Sequence, residues 1–325
     1  MFNNKTILIT GGTGSFGNAF ITFLLKNYKC KKIIVFSRDE LKQFNMQKKF
    51  ENKKNLRFFI GDVRDLERLK LAFKNVDYVV HAAALKHVPI AEYNPHECIK
   101  TNIDGSNNII TAAIEANVKK VIALSTDKAV NPINLYGATK LCAEKLFVSA
   151  NALSGSATNF SVVRYGNVLN SRGSIIPLIL KYKNEGKKNF PLTSEKMTRF
   201  FISLENSVKF VVQSLKVMHK GEIFIPKMPS VYIKDLINAL YPDVSIKLTG
   251  IRPGEKIDEL LISKDESAQT VEYKDNYIIF PNNTFVVSKL LKNNFKNKLK
   301  NFEYSSRNNK NFLNLKKLKS FLKDF

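Results

Sequence analysis

The sequence predicts an α/β protein, a doubly wound parallel sheet followed in the chain by a smaller mixed α/β lobe. Three observations carry this reading. Apolar runs of strand length alternate with helical patterns through the first half, glycines crowd the turn after the first run, and the alternation loosens near Asn170. At 325 residues the chain can bury one large core and a second, smaller one.

Taken in order, Thr6–Thr10 (TILIT) is a short apolar strand, followed by glycines and then a helical pattern over 16–25. Lys32–Ser37 (KIIVFS) and the runs at 56–61, 78–83 and 121–126 read as further buried strands, and 160–165 as a sixth. Helical segments separate them, most clearly 95–116 and 136–150. Beyond Asn170 come the polar stretch Ser171-Arg172-Gly173-Ser174, a loop-like region near 190–200, and a helix over 203–218 expected to pack back on the first domain. Residues 221–325 mix short strands and helices, with a polar break at 305–311 and no internal repeat.

Composition narrows the class. The formal net charge is +24, and 289–325 holds eleven Lys or Arg against two acidic residues. No nucleic-acid motif accompanies that charge, and the lysines are spread along the chain among many asparagines. The expected result is a solvated basic surface that attracts an anionic small substrate, with no nucleic-acid partner. No apolar run approaches the roughly 18 residues a membrane helix needs, and the opening Met-Phe-Asn-Asn-Lys enters a strand with no signal-peptide pattern. A cytoplasmic protein without a membrane segment is expected. Cys30, Cys98 and Cys142 are scattered and odd in number, which reads as reduced thiols. With four isolated histidines, no metal site is expected.

The turn after the first strand reads Thr10-Gly11-Gly12-Thr13-Gly14-Ser15-Phe16-Gly17. Gly11 permits the tight turn, Gly14 lets backbone approach a pyrophosphate, and Gly17 allows close packing of helix on strand. The helix N-terminus adds free N–H groups and a favourable dipole. A Rossmann-type dinucleotide site follows, with Thr13, Ser15 and Phe16 beside the glycines. An acidic residue at the end of the second strand would grip a ribose 2′-hydroxyl, whereas Ser37, Arg38 and nearby Lys42 suit a 2′-phosphate. NADP is therefore the expected cofactor, and Asp39 leaves NAD open. Asp62 and Val63 are placed to flank the adenine, and Ala82, Ala83 and Ala84 to line the cofactor. Residues 1–168 are expected to form this NADP-binding domain and 169–325 the substrate-binding lobe.

The chemistry concentrates in residues 126–140. Tyr136 and Lys140 stand four apart, on one helix face. An ammonium beside a phenol lowers its pKa from about 10, as proton removal from a sugar hydroxyl requires. Thr126, Asp127 and Lys128 add an acid and a second amine, more than a plain dehydrogenase needs.

Together the glycine motif, Gly61-Asp62-Val63, the alanine run and Tyr136-x-x-x-Lys140 resemble the extended short-chain dehydrogenase/reductase superfamily. Ser125-Thr126-Asp127-Lys128-Ala129-Val130-Asn131-Pro132 resembles the signature of its nucleotide-sugar 4,6-dehydratases acting on UDP-N-acetylglucosamine. Leu85-Lys86-His87-Val88-Pro89, Arg164-Tyr165-Gly166-Asn167-Val168, Ser171-Arg172-Gly173-Ser174, Met197-Thr198-Arg199-Phe200 and Ile251-Arg252-Pro253-Gly254-Glu255-Lys256 are similar to family blocks too. The resemblance spans essentially the whole chain. dTDP-glucose and GDP-mannose dehydratases pair their Asp with Glu, whereas this chain has Asp127-Lys128. Membrane-anchored C5-retaining relatives often carry methionine where Tyr136 stands. The chain thus most resembles the C5-inverting branch that opens pseudaminic acid biosynthesis.

This resemblance implies a redox-neutral reaction. Tyr136, aided by Lys140, takes the C4 hydroxyl proton, and Thr126 hydrogen-bonds the developing carbonyl. It implies Asp127 as the acid and Lys128 as the C5 base, although an amine acts as a base only when neutral, and a structural Asp127–Lys128 salt bridge is the alternative. Lys86, Asn167, Arg172, Arg199, Arg252 and Glu255 are implied as contacts to a UDP-sugar substrate, the arginines suiting phosphates. His81 and His87 read as structural. The family implies a homo-oligomer, dimer or hexamer. A 4-epimerase or reductase sharing Tyr136 and Lys140 is the competing enzyme reading, and a non-catalytic NADP-sensing protein the competing class.

Overall fold

The computed structural model describes residues 1–153, 157–171, 173–281 and 296–322. In chain order its strands begin with β1 (Thr6–Thr10), β2 (Lys32–Ser37), β3 (Leu56–Ile60), β4 (Tyr78–His81), β5 (Lys120–Thr126) and β6 (Asn159–Tyr165). There follow β7 (Asn167–Val168), β8 (Asn189–Leu192), β9 (Thr198–Ile202), β10 (Ile223–Pro226), β11 (Ser230–Tyr232) and β12 (Ser245–Leu248). The last are β13 (Leu260–Ile262), β14 (Thr270–Tyr273), β15 (Asn276–Ile279), β16 (Lys296–Lys298) and β17 (Tyr304–Ser305).

The first six strands stand in the order β3-β2-β1-β4-β5-β6, every pair parallel. That order is doubly wound, and its direction reverses between β1 and β4, where such sheets bind ligands at their carboxyl ends. All five residues of β1 and all four of β4 are buried. Helices cover both faces of a parallel sheet, so its strands read as unbroken apolar runs. Observed ends lie within two residues of the expected ones.

Two expectations need correction. The helix expected over 95–116 is three pieces: Pro95–Ile99, a π-helical turn at Lys100–Asp104, and Gly105–Glu115. The turn places the buried Asn102 side chain against the loop after β4. Its Nδ2 donates to the Leu85 carbonyl at 2.9 Å and to Thr139 Oγ1 at 3.0 Å, while its Oδ1 accepts from the Leu85 N–H at 2.8 Å. Single π-turns inside helices are frequent at functional sites.

The second correction concerns residues beyond 168, which divide between two cores. β10 joins β6 in parallel, and β15, β14 and β16 extend the same sheet antiparallel, giving ten strands among the described residues. All four residues of β10 are buried, a run that a sheet interior covers on both faces. Helix Leu204–Val217 lays Val208, Val211 and Leu215 on this main core. The second core gathers Leu169, Ile176, Phe190, Phe201, Leu236 and Leu318 from helices Ile175–Asn184, Ile233–Leu240 and Leu315–Leu322 and the strands near them. Between the cores opens a cleft of about 870 Å³, within the range of small-molecule sites.

Candidate active site

The dinucleotide end of the cleft is built from backbone. Gly11 sits at φ +63°, and a Cβ there would stand 2.9 Å from the Ala83 N and 3.0 Å from the Ala82 carbonyl. No other residue fits that turn, so strand β1 can run directly beneath the loop after β4. Helix Ser15–Asn27 starts at Gly14 with no side-chain cap, leaving its first N–H groups facing the cleft that Gly14, Ser15, Phe16 and Gly17 line. This cradle fits a pyrophosphate. Beneath it, Thr10 Oγ1 meets His81 Nδ1 at 2.8 Å. Burial, then the Lys140 charge, pulls His81 down to about 3, so it is neutral and structural.

At the end of β2, Ser37 Oγ and Thr13 Oγ1 are 2.8 Å apart and both buried. Arg38 is 56% exposed and pairs with Asp62 at 3.5 Å. Asp39 lines the cleft as well: its Oδ1 caps helix Glu40–Lys49 through the Lys42 N–H at 2.9 Å, and its Oδ2 accepts from Lys42 Nζ. Burial would raise the Asp62 pKa, but hydrogen bonds and charge from Arg64, with Arg38, hold it below the ordinary value. Asp62, Val63, Ala82, Ala83 and Ala84 all line this end of the cleft.

The inner end is built from side chains. β5 stops at Thr126, whose backbone turns into Asp127–Ala129. Helix Leu135–Ser149 starts against that turn, capped by Asn134 Oδ1 accepting from the Gly137 N–H at 2.8 Å. A Cβ at Gly137 would stand 2.2 Å from the Lys128 carbonyl oxygen, so only glycine lets Tyr136 ride this close to Asp127 and Lys128.

Asp127 is fully buried. Its Oδ1 accepts from Thr126 Oγ1 at 2.9 Å and from Lys128 Nζ at 3.0 Å, while its Oδ2 has no hydrogen-bond partner. Tyr136 does not match the expected lowered phenol. Burial pushes it up to about 12, Lys128 and a Thr126 hydrogen bond work downward, and Asp127 works upward. The largest charge lowering it is that of Lys128, while Lys140 Nζ donates to the Leu124 carbonyl at 2.7 Å. Burial draws Lys140 itself down to about 8 against upward pulls from Glu144 and Cys98. Lys128 goes the other way. Burial lowers it, but the charges of Asp127 and Glu259 outweigh that and raise it above the ordinary amine value. The two carboxylates beside it thus favour the ammonium form of Lys128.

The other implied contacts separate. Lys86, Asn167, Arg199, Arg252 and Glu255 all line the cleft, whereas Arg172 lies outside the described residues. Arg199 is engaged with backbone: Nη1 donates to Thr198 and Ile257 carbonyls at 2.7 and 2.9 Å, and Nη2 to the Lys256 carbonyl at 2.7 Å. It shapes the 256–257 segment before it can meet a phosphate. Glu255 Oε2 accepts from Thr193 Oγ1 at 2.9 Å. Two cleft residues escaped the sequence reading, Glu259 and the Lys256 amine. Lys256 Nζ donates to the Val130 carbonyl at 2.6 Å and Asn134 Nδ2 to the Gly254 carbonyl at 2.8 Å, which ties the late loop to the Asp127 turn. Among the described residues, no helix is long and apolar enough to cross a membrane.

Comparison with known proteins agrees with this architecture. The family described as polysaccharide biosynthesis protein matches residues 7–281. Two proteins named UDP-N-acetylglucosamine 4,6-dehydratase (inverting), from two strains of Campylobacter jejuni, are similar to this chain. One is 60% identical, covering 88% of this chain and 86% of its own; the other is 55% identical, covering 98% and 97%. A protein named UDP-glucose 4-epimerase from Rickettsia massiliae is 46% identical over 86% of this chain and 84% of its own. The solved structure of Pen from Bacillus thuringiensis superposes with a TM-score of 0.92 at 39% identity, covering 100% of this chain and 98% of its own. The chain therefore belongs to the polysaccharide biosynthesis protein family, within the extended short-chain dehydrogenase/reductase superfamily.

Proposed function

We propose that this chain removes water across C4–C6 of UDP-N-acetylglucosamine and inverts C5, giving UDP-2-acetamido-2,6-dideoxy-β-L-arabino-hexos-4-ulose. The observation that carries the reading is one cleft with a glycine cradle at one end and, at the other, Tyr136 seated against a buried Asp127 whose second oxygen has no partner. The names of the Campylobacter jejuni relatives support the same substrate and outcome. The reaction would open pseudaminic acid biosynthesis in the cytoplasm, performed by a homo-oligomer.

Gly11, Gly14, Ser15 and the first N–H groups of helix Ser15–Asn27 would hold the pyrophosphate of NADP, and Lys140 and Tyr136 would face its reactive end. When bound, the oxidised dinucleotide supplies a hydride acceptor and a positive charge. The exposed Arg38, with Ser37 and Lys42 beside it in the cleft, supports a 2′-phosphate, while Asp39 already accepts from the Lys42 N–H and Nζ.

The chain's own residues then handle protons. Tyr136 accepts the C4 hydroxyl proton, the nearby Lys128 charge lowering the cost of the phenolate, while Thr126 donates to the C4 oxygen. The 4-ketone acidifies C5. Asp127 and Lys128 are the pair for removing the C5 proton, protonating the departing C6 hydroxyl and returning a proton to C5. Lys86, Asn167, Arg172, Arg252 and Glu255 would hold the UDP-sugar. A 4-epimerase reading draws on the Rickettsia massiliae relative, but it leaves Asp127 and Lys128 without a task.

The test is the purified protein with UDP-N-acetylglucosamine in heavy water, followed by mass spectrometry and NMR. The expected product has lost one water, carries deuterium at C5 with inverted configuration, and forms without net NADPH. A product of unchanged composition, or one with C5 retained, overturns the assignment.

A further inference from the structure

Glu259 lies at the cleft wall immediately before β13 and is 2% exposed. Its backbone is pinned from both sides: its N–H donates to Ser306 Oγ at 2.9 Å, and its carbonyl accepts from the Ser306 N–H at 2.9 Å. From this fixed point Oε1 stands 3.2 Å from Lys128 Nζ and 3.6 Å from Arg199 Nε, while Oε2 is buried with no hydrogen-bond partner. Lys128 is thus clamped between two carboxylates, Asp127 at 3.0 Å on its own turn and Glu259 from a segment remote in sequence. The other ionisable groups acting here are Tyr136 from helix Leu135–Ser149, Arg199 from β9, and Lys256 from the loop that leads to Glu259.

A buried carboxylate with an open oxygen is costly to keep unless it does something for its neighbours. We propose that Glu259 is a positioning residue that holds Lys128 as an ammonium, and that Lys128 therefore serves as the proton donor to C5 rather than as the base that deprotonates it. The inference rests on the dehydratase reading and assigns the roles that reading leaves open. Asp127 takes the C5 proton and passes it to the C6 oxygen as the C6–O bond breaks and water leaves. After hydride reaches C6, an N–H bond of Lys128 breaks, its electrons remain on nitrogen, and the proton joins the C5 electron pair. The neutral amine regains a proton from solvent before the next turnover. The C5 proton is lost as water and a solvent proton replaces it, so the balance closes.

At 3.2 Å and an effective dielectric constant of about 20, removing a unit charge shifts a neighbouring pKa by roughly 3 to 4 units. In Glu259→Gln the Lys128 amine therefore loses its proton at lower pH, and the donor form disappears inside the measurable range. The experiment compares kcat for formation of the 6-deoxy-4-keto product between about pH 7 and pH 10 for the wild type, Glu259→Gln and Glu259→Asp. Lys140, at about 8, titrates in all three proteins, so the readout is the rate relative to wild type at each pH, and for Glu259→Gln that ratio should fall about tenfold from the neutral to the alkaline end. Glu259→Asp, which keeps the charge one methylene further back, should fall between them. If Glu259→Gln does not fold, Glu259→Asp carries the test alone. A variant that is slower by the same factor at every pH, or faster at neutral pH, overturns the proposal, since the first marks a purely structural role and the second a Lys128 base. Failure of the wild type to release water defeats the dehydratase reading and this inference with it. A wild type that dehydrates beside a Glu259→Gln variant with the wild-type profile defeats this inference alone.

Discussion

Lys128 and Lys140 line one cleft, and their surroundings drive them in opposite directions. Lys140 is buried with one strong contact, the neutral Leu124 carbonyl, and burial brings it to about 8. Glu144, the nearest acid acting on it, is already taken by Arg164, whose Nη2 stands 2.6 Å from Glu144 Oε2. Lys128 has two carboxylates of its own within 3.2 Å and is raised instead. The charge of a lysine in such a cleft is decided by whether nearby acids are free to answer it, more than by depth. Burial thus brings one amine to about 8, while two carboxylates favour the ammonium form of the other in the same cleft.

The largest break in that contrast is Lys128→Ala. Dehydration should fall by about 10²- to 10⁴-fold, the usual worth of a positioned proton-transfer group. NADPH binding, followed by fluorescence titration, should stay near the wild-type value. Next comes Arg164→Met. It strands Glu144 and Glu266, both of which Arg164 now pairs, and should cost about 3–5 kcal/mol of stability in urea unfolding.

A smaller effect belongs to Lys140. Its folded pKa lies below that of the unfolded chain, so between about 8 and about 10.5 the unfolded state binds more protons. Stability of the cofactor-free chain should therefore rise with pH across that window, by about 1.4 kcal/mol per unit at most. Lys140→Met should remove this component when wild type and variant are compared by denaturant melts at each pH. The smallest change is Arg38→Ala. Loss of an exposed phosphate contact should reduce the preference for NADP over NAD by about tenfold, read from the ratio of Kd values.

The cofactor end was legible because it is made of backbone. A strand, Gly11 at positive φ and a helix N-terminus follow one another within a dozen residues, and burial on both faces left the parallel strands as plain apolar runs. The break of the 95–116 helix was not legible, because it answers Asn102 reaching Leu85 and Thr139 across the fold. The proton-transfer end was legible in part. Thr126, Asp127, Lys128 and Tyr136 lie close together in the chain, but Glu259 arrives only because β13 pairs with β17 and Ser306 fixes its backbone. Arg199 has the right residue type for a phosphate and is bound to three carbonyls. Burial raises the Tyr136 phenol against the pull of Lys128, which local spacing does not reveal, and for Lys128 the salt bridge to Asp127 that the sequence left open is joined by Glu259 from across the fold.

The most direct test of the account follows one atom. UDP-N-acetylglucosamine carrying deuterium at C4 is converted by the wild-type protein with catalytic NADP, and the product is examined by NMR. The account predicts that the label leaves C4 and reappears in the C6 methyl group of a product that has lost water. A label that stays at C4, or returns there in an epimer with the water still in place, would contradict it.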